Sequence, residues 1–464
     1  MGVSFSQKRS KLTIDSKSLD IETVEKLLLR RDININTIFH RKNSKYKKRT
    51  TFLHAAIEEY NDELIDWLIV QKVKPNIKIP KVGQPIDVAI RKQDLDTVRK
   101  LVSLDVCLNN RHPKTGGTPL FYASLNIDTK IAEYLIENGA NVNINTYKRG
   151  IFMGYSPLQI YAENGDIKMT KLMLSKGANI NRKSLRGWTP LTCAAHYGHK
   201  DVIKLLIDNG ANINSVFKKC GESFVLLHAA VFSGSVETLE YLCNLDEVVM
   251  DVNILTKKKK NTLLELIEMH SFYSQQIVDF LLDVGLNVNM ETKFGALPIE
   301  LTSRFWRFPK FYSIISKHVL KLISANLPVC PRNKDVVGQM FTDFAAECRQ
   351  EVAKIKNTKI GSFNITLYDV LHVKEQDLAL KLKFHQSEFS EMIRREKMTR
   401  RFPLYGGMLA FKLGKVHRRI SRLKKTEEVM MEIFDRLRLP YTFLRELFYY
   451  LNNCDLKKIT GGTI

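Results

Sequence analysis

No uninterrupted apolar run in this 464-residue chain approaches the ~20 residues that a membrane-crossing helix needs, and the first thirty residues lack the apolar centre of a secretory leader. A cytoplasmic protein is expected. Cysteine is sparse: Cys107, Cys193, Cys220, Cys243, Cys330, Cys348 and Cys454 make seven, an odd number at scattered spacings with no Cys-x-x-Cys pair. They read as reduced thiols, mostly small core residues, and not as a disulfide framework or a zinc site. Also missing are a Gly-rich phosphate loop, a His-Glu-x-x-His pair and a Gly-x-Ser-x-Gly elbow. No catalytic, cofactor-binding or metal-ligating residue is assigned, so a non-enzymatic protein without a small-molecule substrate is expected.

Acidic residues are in the minority, 49 against 72 Lys and Arg, which leaves a net charge of +23. Such an excess raises a nucleic-acid or anionic-membrane partner, but only if the charge gathers on one face. The basic clusters lie apart, at Arg41–Arg49, Lys257–Lys260 and Arg394–Lys425. They read first as solvated loops of a lysine-rich protein.

What the chain does have is a repeat. The phrase Thr-Pro-Leu-x-x-Ala appears at Thr118-Pro119-Leu120, with Ala123, and at Ser156-Pro157-Leu158. Its fullest copy is Thr189-Pro190-Leu191-Thr192-Cys193-Ala194-Ala195, and looser copies start at Thr51, Gln84, Val225, Thr262 and Leu297. Successive starts are 33 to 38 residues apart. Later in each unit, segments such as Asp201–Ile207 carry one broad apolar stripe at helical spacing and then stop at Asn-Gly-Ala-Asn-φ-Asn, where φ is Val or Ile. Gly139, Gly177, Gly210 and Gly285 suit the left-handed end of a helix, and Pro at the second position suits the first turn of the next.

This pattern resembles the ankyrin-repeat family over roughly residues 51–330. The resemblance implies stacked helix-turn-helix units with turn fingers on one side. His54 and His228 would then hydrogen-bond between neighbouring repeats. About eight repeats are expected. Residues 1–18 form a basic arm, and residues 19–50 contain a degenerate capping repeat (Ile21–Leu29, Ile33–Asn36) and a basic loop. The loop Tyr147–Tyr155 and the Lys257–Lys260 run are insertions on the finger side.

After Cys330 the phrase disappears, and helical patterns without a period occupy residues 331–464. They include Phe344–Val352, Ile365–Leu371, a Phe402–Gly407 turn and a long basic helix over Phe411–Leu437. Last comes a short amphipathic helix within 437–459, entered through Leu439-Pro440 and carrying Phe443, Leu444, Leu447, Phe448 and Leu451 at helical spacing. It resembles the opening of an F-box, and with the repeats and the Thr366–Leu371 phrase it resembles the PRANC family, the pox-type ankyrin C-terminal domain of poxviruses, parasitoid wasps and intracellular bacteria. Thr442 stands where an F-box usually has an acidic residue, and only thirteen residues follow Leu451.

The fold class expected is therefore all-α, an ankyrin solenoid followed by a helical PRANC/F-box-like domain. The resemblance implies that Leu439, Pro440, Phe443, Leu444, Leu447 and Leu451 dock on the adaptor subunit of a cullin-type ubiquitin ligase, while the array holds a target protein, for instance one of a host cell. The competing readings are an ankyrin scaffold that sequesters a signalling or transcription factor, and a nucleic-acid or membrane-surface binder. The start Met1-Gly2-Val3-Ser4-Phe5-Ser6 fits myristoylation at Gly2, with Lys8, Arg9 and Lys11 as the second signal for weak membrane association.

Overall fold

The computed structural model describes residues 13–14, 19–30, 33–41, 49–146, 153–219, 222–245, 252–253, 275–292, 295–304, 309–338, 341–361, 364–383, 393–437, 447–448, 450–451, 455–456 and 459. They form two compact units, Met1–Lys218 and Lys219–Ile464. The chain is helical with a few strands of two or three residues, a small amendment to the all-α expectation.

In the first unit, α1 (Ile21–Leu28) is followed by five helix pairs: α2 and α3 (Phe52–Glu59, Asp62–Val70), α4 and α5 (Pro85–Lys92, Leu95–Val102), α6 and α7 (Pro119–Ser124, Lys130–Glu137), α8 and α9 (Pro157–Asn164, Ile167–Ser175), and α10 and α11 (Pro190–Tyr197, Lys200–Asp208). The phrase starts Thr51, Gln84, Thr118, Ser156 and Thr189 are the N-caps of the first helix in each pair. Pro85, Pro119, Pro157 and Pro190 occupy the first helical turn, where a missing N–H leaves no bond unmade. First helices pack on first helices of the next pair, and small and aliphatic side chains of the first four pairs are buried in one continuous core. Ahead of them β1 (Thr13–Ile14), β2 (Phe39–Arg41) and β3 (Arg49–Thr50) make a small sheet, β1 parallel and β3 antiparallel to β2. Phe39 is fully buried beneath it, 5.1 Å from the Phe52 ring.

The asparagine phrase turns out to be the tie between repeats. The side-chain oxygen of Asn76 accepts from the Cys107 N–H at 2.8 Å, Asn109 from Asn141 at 2.7 Å, Asn143 from Asn179 at 2.8 Å and Asn181 from Asn212 at 2.7 Å. Asn36 starts the ladder by accepting from the Lys74 N–H at 2.8 Å, so the expected capping repeat is bonded to the array. Gly139, Gly177 and Gly210 have φ between 78° and 87°, and a Cβ on any of them would meet nothing within 4 Å. Backbone conformation alone asks for glycine there.

The fourth position of the phrase is buried and polar in several repeats, as imidazole, carboxylate, amide or, at Thr192, hydroxyl. His54 Nε2 donates to the Gly83 carbonyl at 3.2 Å, which joins two repeats, and Gln159 Nε2 donates to the Trp188 carbonyl at 2.8 Å in the same way. Asp87 has no N–H to give, so its carboxylate turns back to accept from the Gln84 N–H at 2.8 Å. Its burial pushes its pKa up to about 6. His228 is buried too, its pKa lowered to about 4 by desolvation, and among the described residues its Nε2 has no hydrogen-bond partner.

The second unit contains the strand β4 (Glu222–Phe224) and the pair α12 (Leu226–Ser233) and α13 (Val236–Cys243), then α14 (Gln275–Asp283), α15 (Pro298–Arg304), α16 (Pro309–Ser324) and α17 (Pro331–Val337). The same ladder recurs, Asn253 accepting from Asn287 at 2.6 Å and Asn289 from Cys330 at 2.9 Å. Helices α18 (Thr342–Asn357), α19 (Leu367–His372), α20 (Glu375–Leu382), α21 (Arg395–Arg401) and α22 (Gly406–Leu437) complete it. The expected basic helix, α22, buries Leu409, Leu413, Val416, Ile420 and Leu423 at alternating steps of four and three, a single apolar stripe. The Glu351 carboxylate accepts from the Leu404 and Tyr405 N–H groups at 2.9 and 2.8 Å just before that helix. Residues after 331 pack with the preceding stretch: Tyr405 donates to the Lys321 carbonyl at 2.7 Å, and Arg395 pairs with Asp283 at 3.1 Å.

Two measurements follow from these contacts. Asn143→Ala removes one rung and the bond from Asn143 Nδ2 to the Gly177 carbonyl; urea unfolding should show a loss of about 1–3 kcal/mol. Asp87 is harder to ionise folded than unfolded, so the fold carries a penalty that is absent below about pH 4, grows as the pH rises and is complete above about pH 6. Asp87→Asn should therefore stabilise the chain by about 1–3 kcal/mol at pH 8 and by nothing near pH 3, read as the difference in unfolding midpoints at each pH.

Candidate functional site

Between each second helix and the next first helix the chain makes a turn closed by its own backbone. Ile79 and Gly83 exchange two N–H to carbonyl bonds at 2.8 and 2.9 Å, His112 N–H reaches the Gly117 carbonyl at 2.8 Å, and Ser184 N–H reaches that of Trp188 at 2.8 Å. Thr146 and Tyr155 close the expected insertion at 3.0 Å, with residues 147–152 outside the described ones. Neighbouring turns also hold each other. Lys78 Nζ donates to Asn110 at 3.0 Å, Arg111 to the Asn145 carbonyl, the Leu185 N–H to the Met153 carbonyl at 3.0 Å and the Lys218 N–H to the Arg186 carbonyl at 2.6 Å. The turns thus form one continuous ridge along the first unit.

Charge is unevenly divided between this ridge and the helices behind it. Residues 74–84, 107–118, 141–156, 178–189 and 211–219 contain no aspartate or glutamate. Lys78, Lys81, Lys114, Arg182, Lys183, Arg186 and Lys218 are all exposed on them, and among the described residues none is in an ion pair. Among the described residues most carboxylates of this unit sit on or beside the helices instead, where Asp66 pairs with Lys100 at 2.6 Å and Glu133 with Lys168 at 2.7 Å. Leu185 and Val216, each 48% exposed, add apolar surface between the ridge cations.

Behind the ridge lies a cleft of about 200 Å³, walled by the turn residues Tyr155, Arg186 and Trp188 and by Glu163, His196 and Tyr197 at the ends of α8 and α10. Trp188 is one of its lining residues, its ring 4.3 Å from Phe217 and 5.1 Å from His196. The Tyr197 hydroxyl donates to Glu163, and desolvation followed by that bond pushes its pKa up to about 12. Burial holds Tyr155 and the neighbouring Cys193 well above their usual values, so both stay protonated and neutral. The cleft has the makings of a binding pocket and lacks an activated nucleophile.

Of the residues that sequence reasoning singled out, Gly2, Lys8, Arg9, Lys11, Leu439, Pro440, Phe443 and Leu444 lie outside the described ones. So does Lys257–Lys260. Leu447 and Leu451 are half-buried, whereas their neighbour Phe448 is 1% exposed in the core of the second unit, under the Lys383 ammonium. Arg419 donates to the Leu451 carbonyl at 2.6 Å. Arg419 and Arg422 are themselves buried, so the Arg394–Lys425 cluster is in part structural. Sequence reasoning missed the ridge cations because it looked for dense clusters. The signal was there as two or three Lys or Arg per turn with no acid between them. Among the described residues no group of His, Cys, Asp and Glu could hold a metal, and no helix is long and apolar enough to cross a membrane.

Comparison with known proteins matches residues 53–146 and 144–217 to a family described as ankyrin repeats (3 copies). An ankyrin repeat protein of fowlpox virus (strain NVSL) is 27% identical over 135 residues, 29% of this chain and 30% of the relative. Human ankyrin repeat and SOCS box protein 11 is 26% identical over 121 residues, 26% of this chain and 35% of that one. The chain thus spans about a third of the length of these two relatives. A second fowlpox virus ankyrin repeat protein is 23% identical over 392 residues, 81% of this chain and 91% of its own length. Capped first helices, left-handed glycines, closed turns and these matches agree: the chain carries ankyrin repeats, which point to a role in protein–protein interaction.

Proposed function

We propose that this chain is a two-ended adaptor: its ankyrin array holds a target protein, and a PRANC/F-box-like segment within residues 331–464 docks on the adaptor subunit of a cullin-type ubiquitin ligase. The observation that carries the first half is the first unit's ridge and cleft, a surface of cations, aliphatics and aromatics without an activated nucleophile. The second half is supported by the terminal segment. There Phe448 is buried in the core while Tyr450, two residues on, is 80% exposed, so the described residues of this stretch turn one side inward and another outward. The human relative's name pairs ankyrin repeats with a SOCS box, an array beside a second module. Host-cell targets, a cytoplasmic site and myristoylation at Gly2 belong to the same reading.

Deleting the tail would not test this cleanly. Phe448 and Leu456 are fully buried, and Phe448→Ala alone should destabilise the second unit by about 3–5 kcal/mol in urea unfolding. Point changes are preferable. Full-length protein should retain purified ligase adaptor subunit in a pull-down, and Leu439→Ala with Leu444→Ala should abolish retention while leaving the helical circular dichroism unchanged. A folded full-length chain that retains no adaptor subunit would overturn ligase docking and leave the sequestering scaffold.

A further inference from the structure

The ridge cations make no ion pair among the described residues, although Lys78 Nζ also ties two turns together through Asn110. Lys78, Lys81, Lys114, Arg182, Lys183, Arg186 and Lys218 project from turns that bond to one another, so like charges are held along one edge, with no carboxylate paired to them among the described residues. Such an arrangement raises the energy of the free protein and is relieved by an anionic partner that lies along the edge. A rigid, hydrogen-bonded base makes the charges pre-positioned, so little ordering is needed on binding.

Two features decide the class of anion. Aliphatic Leu185 and Val216 are exposed between the cations, where a nucleic-acid site would place stacking aromatics. The cleft beside the ridge is lined by the rings of Tyr155, Trp188 and Tyr197, with the Glu163 carboxylate set against the Arg186 guanidinium, so it favours an uncharged apolar side chain over a phosphate. Its volume of about 200 Å³ is small, of the order of a single side chain and not of a cofactor.

We infer that the turn ridge of the first unit binds an extended acidic segment of a partner protein, with carboxylates along the ridge cations and one apolar side chain seated in the cleft of Tyr155, Trp188 and Tyr197. This rests on the reading of the array as the target-holding end and names the chemistry of the target.

The probe is a fluorescein-labelled twelve-residue peptide of glutamate and glycine with one central leucine, titrated with full-length protein in a fluorescence anisotropy assay at low and physiological salt. Arg182→Glu with Lys183→Glu and Arg186→Glu should weaken binding by about ten-fold or more. Lys397→Glu with Arg400→Glu and Lys425→Glu, an equal charge reversal far from the ridge in sequence, should leave it within about two-fold. Tyr197→Ala should weaken the leucine peptide several-fold and leave its leucine-to-glycine counterpart unchanged. Circular dichroism establishes that each variant is folded.

The inference is overturned if both charge reversals weaken binding equally, because net charge alone would then explain it. Tighter binding of a DNA duplex of the same charge, with the ridge variant losing it, would overturn it in favour of nucleic acid. No binding of the peptide by the folded chain would also overturn it. Peptide binding without retention of the ligase adaptor subunit would instead sink only the ligase half of the proposed function, so the two failures are told apart.

Discussion

One interaction recurs through the array and holds the rest in register: an asparagine side chain in one repeat accepting the backbone N–H at the start of the next asparagine phrase. From Asn36 to Asn212 the distances stay between 2.7 and 2.8 Å. Each acceptor sits at the end of a turn, where the backbone would otherwise present an unpaired N–H to solvent at the edge of the core. Asparagine is suited to this place because its short side chain reaches a backbone group two residues away or in the neighbouring turn without a long rotamer to order. The left-handed glycines bring the chain around so that the asparagine arrives there. With the helices thus spaced, first helices can bury nearly their whole surface against each other.

The same logic explains why the fourth position of the phrase varies in residue type while remaining polar in several repeats. Its side chain lies under the next turn, and His54 and Gln159 can donate to that turn's carbonyl. Asp87 can only accept, so it serves its own helix start instead and bears the desolvation of a charge. In the second unit Glu351 occupies a comparable role at the start of α22, gathering two backbone N–H groups ahead of a helix that begins with two glycines. A carboxylate near a helix N-terminus is favoured by the exposed N–H groups as well as by the helix dipole.

The net charge acquires meaning only when sorted by place. In the C-terminal helix, Arg419 and Arg422 are buried beside the terminal segment, and Lys415 pairs with Glu375 at 3.4 Å. On the second helices of the array, cations pair with carboxylates of the preceding repeat. The ridge turns keep theirs exposed. An excess of lysine and arginine spread over the sequence is therefore structural in one region, paired in another and outward-facing in a third.

The sequence by itself determined the repeat, its phase and its caps. Thr51, Gln84, Thr118, Ser156 and Thr189 could be named as unit starts because capping and the first-turn proline depend on local backbone geometry, which is written into neighbouring residues. The apolar stripe of α22 was legible for the same reason, since 3.6-residue periodicity is local. Tertiary structure alone decided which turns touch, that a ridge results, and that Tyr155, Trp188 and Tyr197, from three separate segments, meet in one cleft. It also decided that Phe448, and not only its flanking leucines, anchors the terminal segment. Contacts between residues thirty or more apart depend on how repeats stack, and no pattern within a single repeat records them.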